Sequence, residues 1–288
     1  MPAFNKAAPA DKHRLRSSLD FNRIRMMHDE TLLKIRRLLD NTEIQPVEKL
    51  HSVLRLAAYH RAWLIANTLV HTGGLAVRAG PFKGMVLPSR VAEGCFVPKL
   101  LGCYEAELHP VLEHIRQRAY PNVVNIGCAE GYYAVGLARL MPRSRVWAYD
   151  TDEKARATCA RVAEENGVGD RIVLGGAFAH DDFEQFTAGE TVVIVDIEGA
   201  ELNLLDPETA PVIKGLDIQV EMHNSFEVAF NRDFIARFEE THEIQRILPA
   251  ERDISAYSEL REFEHLDQLL AFWEFRRGPN PWLFMTAR

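Results

Sequence analysis

Three residues able to act as acids, bases or metal ligands stand at the ends of two apolar runs. Asp196 closes the run 191–196 (TVVIVD), Glu221 closes 217–221 (DIQVE), and His223 follows two positions later. If both runs are parallel strands, their ends meet at one edge of a sheet, where ligands bind in such folds. Two carboxylates and an imidazole could hold a divalent cation such as Mg²⁺ or Mn²⁺. Alternatively, His223 could take a proton while a carboxylate orients its ring. A plainer reading assigns Asp196 and Glu198 to the tight turn at Gly199 and to the cap of the helix after it.

A second constellation lies upstream. Residues 122–126 (NVVNI) run into Gly127-Cys128-Ala129-Glu130-Gly131, a strand followed by a glycine-bearing turn. Glycine lets such a turn bend sharply and approach a ligand without a Cβ clash. The dinucleotide fingerprint GxGxxG is not met, because Ala129 and Tyr132 occupy its second and third glycine positions. The Gly-x-x-x-Gly spacing of Gly127 and Gly131 fits a loop that cradles a methionine moiety rather than a pyrophosphate. Asp150 ends the next strand, where a carboxylate can accept both ribose hydroxyls. Ala177 and Phe178 follow the third strand, where an adenine would lie, although Phe178 serves equally well as a core residue.

These residues need a scaffold that brings strand ends together. Apolar runs at 122–126, 145–149, 171–175, 191–196 and 217–221 alternate with amphipathic stretches such as 131–140 and 152–166. That rhythm predicts a parallel sheet covered by helices on both faces. Further strands are expected at 243–248 and 282–286, with helices at 104–118 and near 230–240. Residues 1–75 read differently. After a polar tail over 1–16, apolar residues recur at helical spacing from about Ser18 to Leu39, and again from Pro46 to about Val70. Gly73 and Gly74 end the second helix. The expected organisation is a helical appendage, 1–75, and an α/β domain, 76–288.

The chain has 288 residues and a net charge of −7, so it is not basic enough overall to suggest a nucleic-acid binder. The charge is uneven: residues 1–78 hold 13 Lys and Arg against 7 Asp and Glu, and the remainder holds 21 against 34. A basic platform for RNA would pair its cations with stacking aromatics, and residues 1–40 supply only Phe4 and Phe21. The four cysteines show no CxxC pair or zinc spacing. The N-terminus lacks the apolar stretch of a signal peptide, and no apolar run is long enough to span a bilayer. A cytoplasmic protein with reduced thiols is expected.

The loop 125–133 (NIGCAEGYY), Asp150, the string Val195-Asp196-Ile197-Glu198-Gly199-Ala200-Glu201 and the later 219–223 (QVEMH) resemble the FkbM-type methyltransferases. The upstream 101–105 (LGCYE) is similar to the segment leading into that family's domain. The resemblance covers roughly 95–225. It implies a class I fold, a doubly wound, mostly parallel seven-stranded sheet. It also implies S-adenosylmethionine as methyl donor and O-methylation of a hydroxyl on a sugar, polyketide or other small natural product. The implied cofactor set is Asn125, Gly127, Glu130, Gly131, Asp150, Ala177 and Phe178. The implied catalytic or metal set is Asp196, Glu221 and His223. The family carries Asp where this chain has Asn125, and Glu130 stands near enough in the loop to replace that charge toward the methionine ammonium.

Two other classes share the pattern. A nicotinamide-dependent oxidoreductase would also place an acid after the second strand, and the failed GxGxxG argues against it. A non-catalytic module would keep the fold and bind a partner through the N-terminal helices. The apolar stripes of those helices also suit pairing of two copies into a homodimer. The acceptor is expected to be a small molecule or glycan, without nucleic acid or a membrane span.

Overall fold

In the computed structural model, residues 18–89, 95–223, 228–276, 278 and 280–288 are described, and the polar tail expected over 1–16 lies outside them. Seven short strands form one sheet: β1 (Asn122–Ile126), β2 (Arg145–Tyr149), β3 (Ile172–Gly175), β4 (Thr191–Val195), β5 (Asp217–Glu221), β6 (His242–Ile247) and β7 (Trp282–Ala287). Their order is β3-β2-β1-β4-β5-β7-β6. The first five pair in parallel, and β7 runs antiparallel to both β5 and β6. This is the doubly wound seven-stranded arrangement expected from the sequence. The strand order reverses between β1 and β4, which makes their carboxyl ends the switch point at which such sheets bind ligands.

Alternation of side chains divides the sheet into two unlike faces. Val124, Val193, Ile218 and Met285 stand in register on one face and join a buried cluster with Phe183, Phe186, Phe234 and Phe238. On the other face Asn125, Ile194, Gln219 and Phe284 share a row. Along β5, Asp217, Gln219 and Glu221 all turn to this second face, and all three are buried. Burying them is costly without partners. Asp217 obtains partners from the Tyr120 hydroxyl and the Ala287 N–H. Both Gln219 amide atoms are buried without a hydrogen-bond partner among the described residues.

Helices α3 (Phe96–Leu101), α4 (His109–Arg118), α5 (Tyr132–Leu140), α6 (Glu153–Glu165), α7 (Glu201–Leu204), α8 (Val228–Ala236) and α9 (His265–Leu270) complete the α/β part. The helix expected over 104–118 begins instead at His109. Glu105 sits at φ +47, residues Ala106–Leu108 form a 3₁₀ turn, and Pro110 then suits the first turn of α4. The helix expected near 230–240 stops at Ala236, where tighter turn bonds such as Phe238 N–H to the Ile235 carbonyl take over.

The appendage contains α1 (Ser18–Asp40) and α2 (Pro46–Gly73). The chain divides into compact units at 1–64 and 65–288, so the break falls inside α2 rather than after it. The later turns of α2 are apolar and buried at Ile65 and Leu69, as befits a segment of the larger unit. In the smaller unit Thr31 and His60 approach to 3.2 Å, and the His28 and His60 rings meet edge to face. The stripe expected on α2 is not wholly covered. Leu50 and Leu54 are exposed, as are Met26, Leu32, Leu33, Leu39, Val47 and Tyr59. No helix among the described residues is long and apolar enough to cross a membrane.

Candidate active site

The loop after β1 is held by its neighbours on both sides. The Gly127 and Cys128 N–H groups donate to the Tyr149 carbonyl at 2.8 and 2.9 Å, and Asp196 N–H donates to the Ile126 carbonyl at 3.0 Å. Gly127 has φ +82, and a Cβ there would stand 1.7 Å from the Asp196 carbonyl oxygen. Only glycine fits both the left-handed backbone and that close approach. The Gly127 loop and the Asp196 turn are therefore in direct backbone contact. Gly131, at φ +93, packs its α-carbon against Cys159 of α6.

Asp150 reaches into this loop. One carboxylate oxygen accepts the Ala129 N–H and the other accepts the Asp152 N–H, each at 2.9 Å. A carboxylate has about four acceptor sites, so these two bonds fix its orientation and leave capacity for ribose hydroxyls. Asn125, two residues before Gly127 on β1, is nearly buried, and its Oδ1 has no hydrogen-bond partner among the described residues. A buried, unsatisfied acceptor at this position suits an ammonium donor.

Glu130 is placed differently from its expected role toward the ammonium. Its carboxylate turns into the protein and forms an ion pair with Lys99 Nζ at 2.5 Å, both side chains being buried. The Tyr104 and Tyr132 rings lie 4.7 and 5.4 Å from the Lys99 ammonium. Ala177 is exposed after β3, whereas Phe178 is half-buried and packs edge-on against Tyr149 and Phe183. Phe178 thus carries core packing, with its remaining surface open beside Ala177.

The predicted catalytic residues do converge. His223 Nε2 lies 3.5 Å from a carboxylate oxygen of each of Asp196, Glu198 and Glu221. Ligand atoms of Asp196, Glu221 and His223 all fall within 4.8 Å of one another. Two carboxylates and one imidazole at this spacing fit a divalent cation of the Mg²⁺ or Mn²⁺ kind. The Glu198 side chain is largely exposed on a left-handed residue at φ +54.

Glu201, quoted in the motif but given no role by sequence reasoning, is central. Its buried Oε1 accepts from His223 Nδ1 at 2.7 Å and also receives the Gly199 N–H at 3.1 Å and the Ile197 N–H at 3.3 Å. The acid that satisfies the turn is thus Glu201, rather than Asp196 or Glu198. Burial opposes the charge on His223, but the Glu201 hydrogen bond and the charges of Glu221, Glu201 and Glu198 outweigh it and raise the imidazole pKa. For Glu201, burial pushes the pKa up, yet His223 and the turn N–H groups bring it below its usual value. Arg276 and Glu105 were also missed. The Arg276 guanidinium donates to both Glu221 and Glu105. Burial pushes the Glu105 carboxyl pKa up, and the Arg276 guanidinium that donates to it opposes that rise.

No protein-family model matches the chain. Over 72 residues it is 42% identical to a Pyrobaculum calidifontis protein described as a "Probable cobalt-precorrin-6B C(15)-methyltransferase (decarboxylating)". The match takes in 24% of this chain and spans 37% of that relative's length. Among solved structures, the chain is similar to the O-methyltransferase TomG from Streptomyces achromogenes, in complex with S-adenosylmethionine, at 15% identity and a TM-score of 0.45, over 79% of this chain and 89% of that one. It is also similar to an O-methyltransferase from Bacillus cereus, in complex with S-adenosylhomocysteine, at 12% identity and a TM-score of 0.44, over 81% and 91% of the two chains.

Proposed function

We propose that the protein is an S-adenosylmethionine-dependent methyltransferase that acts on a hydroxyl of a sugar, polyketide or other small natural product. The observation that carries this reading is the backbone contact between Gly127 and Asp196. It sets the candidate cofactor loop directly beside a base-bearing constellation, as transfer between a bound donor and an acceptor requires.

Bound S-adenosylmethionine supplies an electrophilic methyl group. The protein's task is to hold donor and acceptor in line and to handle one proton. In this reading Asp150 accepts the ribose hydroxyls, Gly127 and Gly131 leave room for the methionine chain, and Asn125 Oδ1 accepts from the ammonium. Ala177 and Phe178 flank the adenine. Glu130 supports the loop from within through Lys99 rather than touching the donor. On the acceptor side, His223 Nε2 receives the hydroxyl proton while Glu201 fixes the ring through Nδ1. In the alternative arrangement His223 Nε2 is a ligand instead of a base, and Asp196, Glu221 and His223 would together hold a divalent cation that would lower the charge cost of the developing alkoxide. The exposed apolar residues of α1 and α2 suit a second copy of the chain, giving a homodimer. Four buried free cysteines support a cytoplasmic setting.

The test is turnover with labelled S-adenosylmethionine across hydroxylated acceptors, with and without chelator, followed by return of Mg²⁺ or Mn²⁺. His223→Ala should lower turnover about 10²–10⁴-fold and leave cofactor affinity unchanged. Wild-type rates in Asp196→Asn, Glu221→Gln and His223→Ala would remove these residues from the reaction.

A further inference from the structure

The segment that returns from β6 to β7 places a single guanidinium among three carboxylates. Arg276 donates through Nη1 to Glu221 Oε1, through Nη2 to Glu105 Oε1, and through Nε to Glu274 at 3.1 Å. Glu105 and Glu221 are buried at 0% and 4% exposure, and they come from parts of the chain more than a hundred residues apart. Glu105 is pinned further: its Oε2 accepts from Tyr133, and its N–H donates to Glu274 at 2.9 Å. Arg252 anchors the same segment through Glu107 and Glu274, at 2.7 and 2.9 Å, without touching Glu221.

Glu221 is thereby divided. Its Oε1 belongs to Arg276, with Asn280 Nδ2 at 3.3 Å, and its Oε2 faces His223 Nε2 at 3.5 Å. A cation held by Asp196, Glu221 and His223 would share this carboxylate with a resident positive charge. Two cations on one carboxylate repel, and in a buried setting the repulsion is poorly screened. The guanidinium is in turn shared with Glu105, which draws part of its charge away from Glu221.

We infer that Arg276 is a positioning residue that competes with a divalent cation for Glu221, and that Glu105 sets the strength of that competition. The inference rests on the cation arm of the proposed function. It makes the β6–β7 segment a determinant of cation affinity, through one arginine and one remote glutamate. The planar fork of arginine suits this role, since it bridges two carboxylates in a fixed geometry.

The test is Mn²⁺ binding to the intact chain, followed by the electron paramagnetic resonance signal of free Mn²⁺, with circular dichroism to verify folding. Arg276→Met should bind Mn²⁺ about tenfold more tightly than wild type, and Arg276→Lys should return toward wild type because the charge is kept. Glu105→Gln should shift affinity the opposite way, weakening it about threefold or more, because Arg276 is then shared only between Glu221 and the Glu274 contact at 3.1 Å. Arg252→Met, which removes an equal charge from the same segment but not from Glu221, should stay within about threefold of wild type. A loss of packing alone would not produce opposite shifts at Arg276 and Glu105. Equal or weaker binding by folded Arg276→Met would overturn the inference, as would tighter or unchanged binding by Glu105→Gln. If Arg276→Met does not fold, the Glu105→Gln result decides by itself. Mn²⁺ binding without these shifts defeats only this inference, whereas no Mn²⁺ binding by the wild type defeats it together with the cation reading.

Discussion

His223 gives its Nδ1 to the buried carboxylate of Glu201, 2.7 Å away, and so turns Nε2 toward Asp196, Glu198 and Glu221. One side chain thus sets the direction of the imidazole and also closes the turn before α7, through the Gly199 and Ile197 N–H groups. Orientation of the ring and shape of the turn cannot be changed separately.

This pairing gives stability a definite pH dependence in the absence of cation. The His223 pKa is raised on folding, so its contribution is fully present below the unfolded imidazole value of about 6.5 and is lost as pH rises through the folded value. The Glu201 pKa is lowered, so its contribution is present above the unfolded carboxyl value of about 4.3 and is lost as pH falls through the folded one. Glu201→Gln should therefore be less stable than wild type by about 1–3 kcal/mol near pH 6, with a gap that narrows toward alkaline pH. Urea unfolding across that range measures it. A gap that does not change with pH would mean that the charge on His223 contributes nothing to the fold.

Gly127→Ala should be among the most damaging single-methyl changes in the protein. It combines a left-handed backbone at φ +82 with a Cβ placed 1.7 Å from the Asp196 carbonyl oxygen. The expected loss is about 2–5 kcal/mol, from the backbone conformation and the forced shift of the turn. Gly189→Ala is the control, since it has φ +74 but open space around the added methyl, and it should lose only the backbone part. Equal losses in the two variants, measured by denaturant midpoints, would contradict the close approach of loop and turn.

The Lys99–Glu130 pair predicts a non-additive pair of mutations. Lys99→Met leaves a buried carboxylate without its ammonium and should cost about 3–5 kcal/mol. Adding Glu130→Leu removes that stranded charge, and the double variant should recover most of the loss. Additive losses would show that the two side chains do not act as a pair.

Much of this framework was legible in the sequence, for identifiable reasons. Strands β1 and β4 are short and mostly apolar, broken only by Asn122, Asn125 and Thr191, as parallel strands covered by helices tend to be. The glycine loop, Asp150 and the Asp196 turn follow strand ends, so their common edge came with the strand assignment. Glu130 was legible as an acid in the loop but not in its direction, because Lys99 sits 31 residues earlier and no local pattern links them. Arg276 and Glu105 are 171 residues apart, and their meeting depends on how the β6–β7 segment docks. The break inside α2 was hidden for a similar reason, since the helix continues without a glycine or proline at residue 64. Local spacing reports strands and turns, whereas buried ion pairs arise from tertiary packing.

The central claim is that the loop between Gly127 and Gly131, with Asp150, binds the nucleoside and amino-acid parts of S-adenosylmethionine. Isothermal titration of S-adenosylhomocysteine into the intact, metal-free chain tests it most directly. Saturable binding at one site per chain is expected. Asp150→Ala should weaken it about 10–100-fold, the value of one or two hydrogen bonds to a charged acceptor. His223→Ala, on the acceptor side, should leave it within about threefold of wild type. No detectable binding by the folded wild-type protein, or undiminished binding in Asp150→Ala, would contradict the claim.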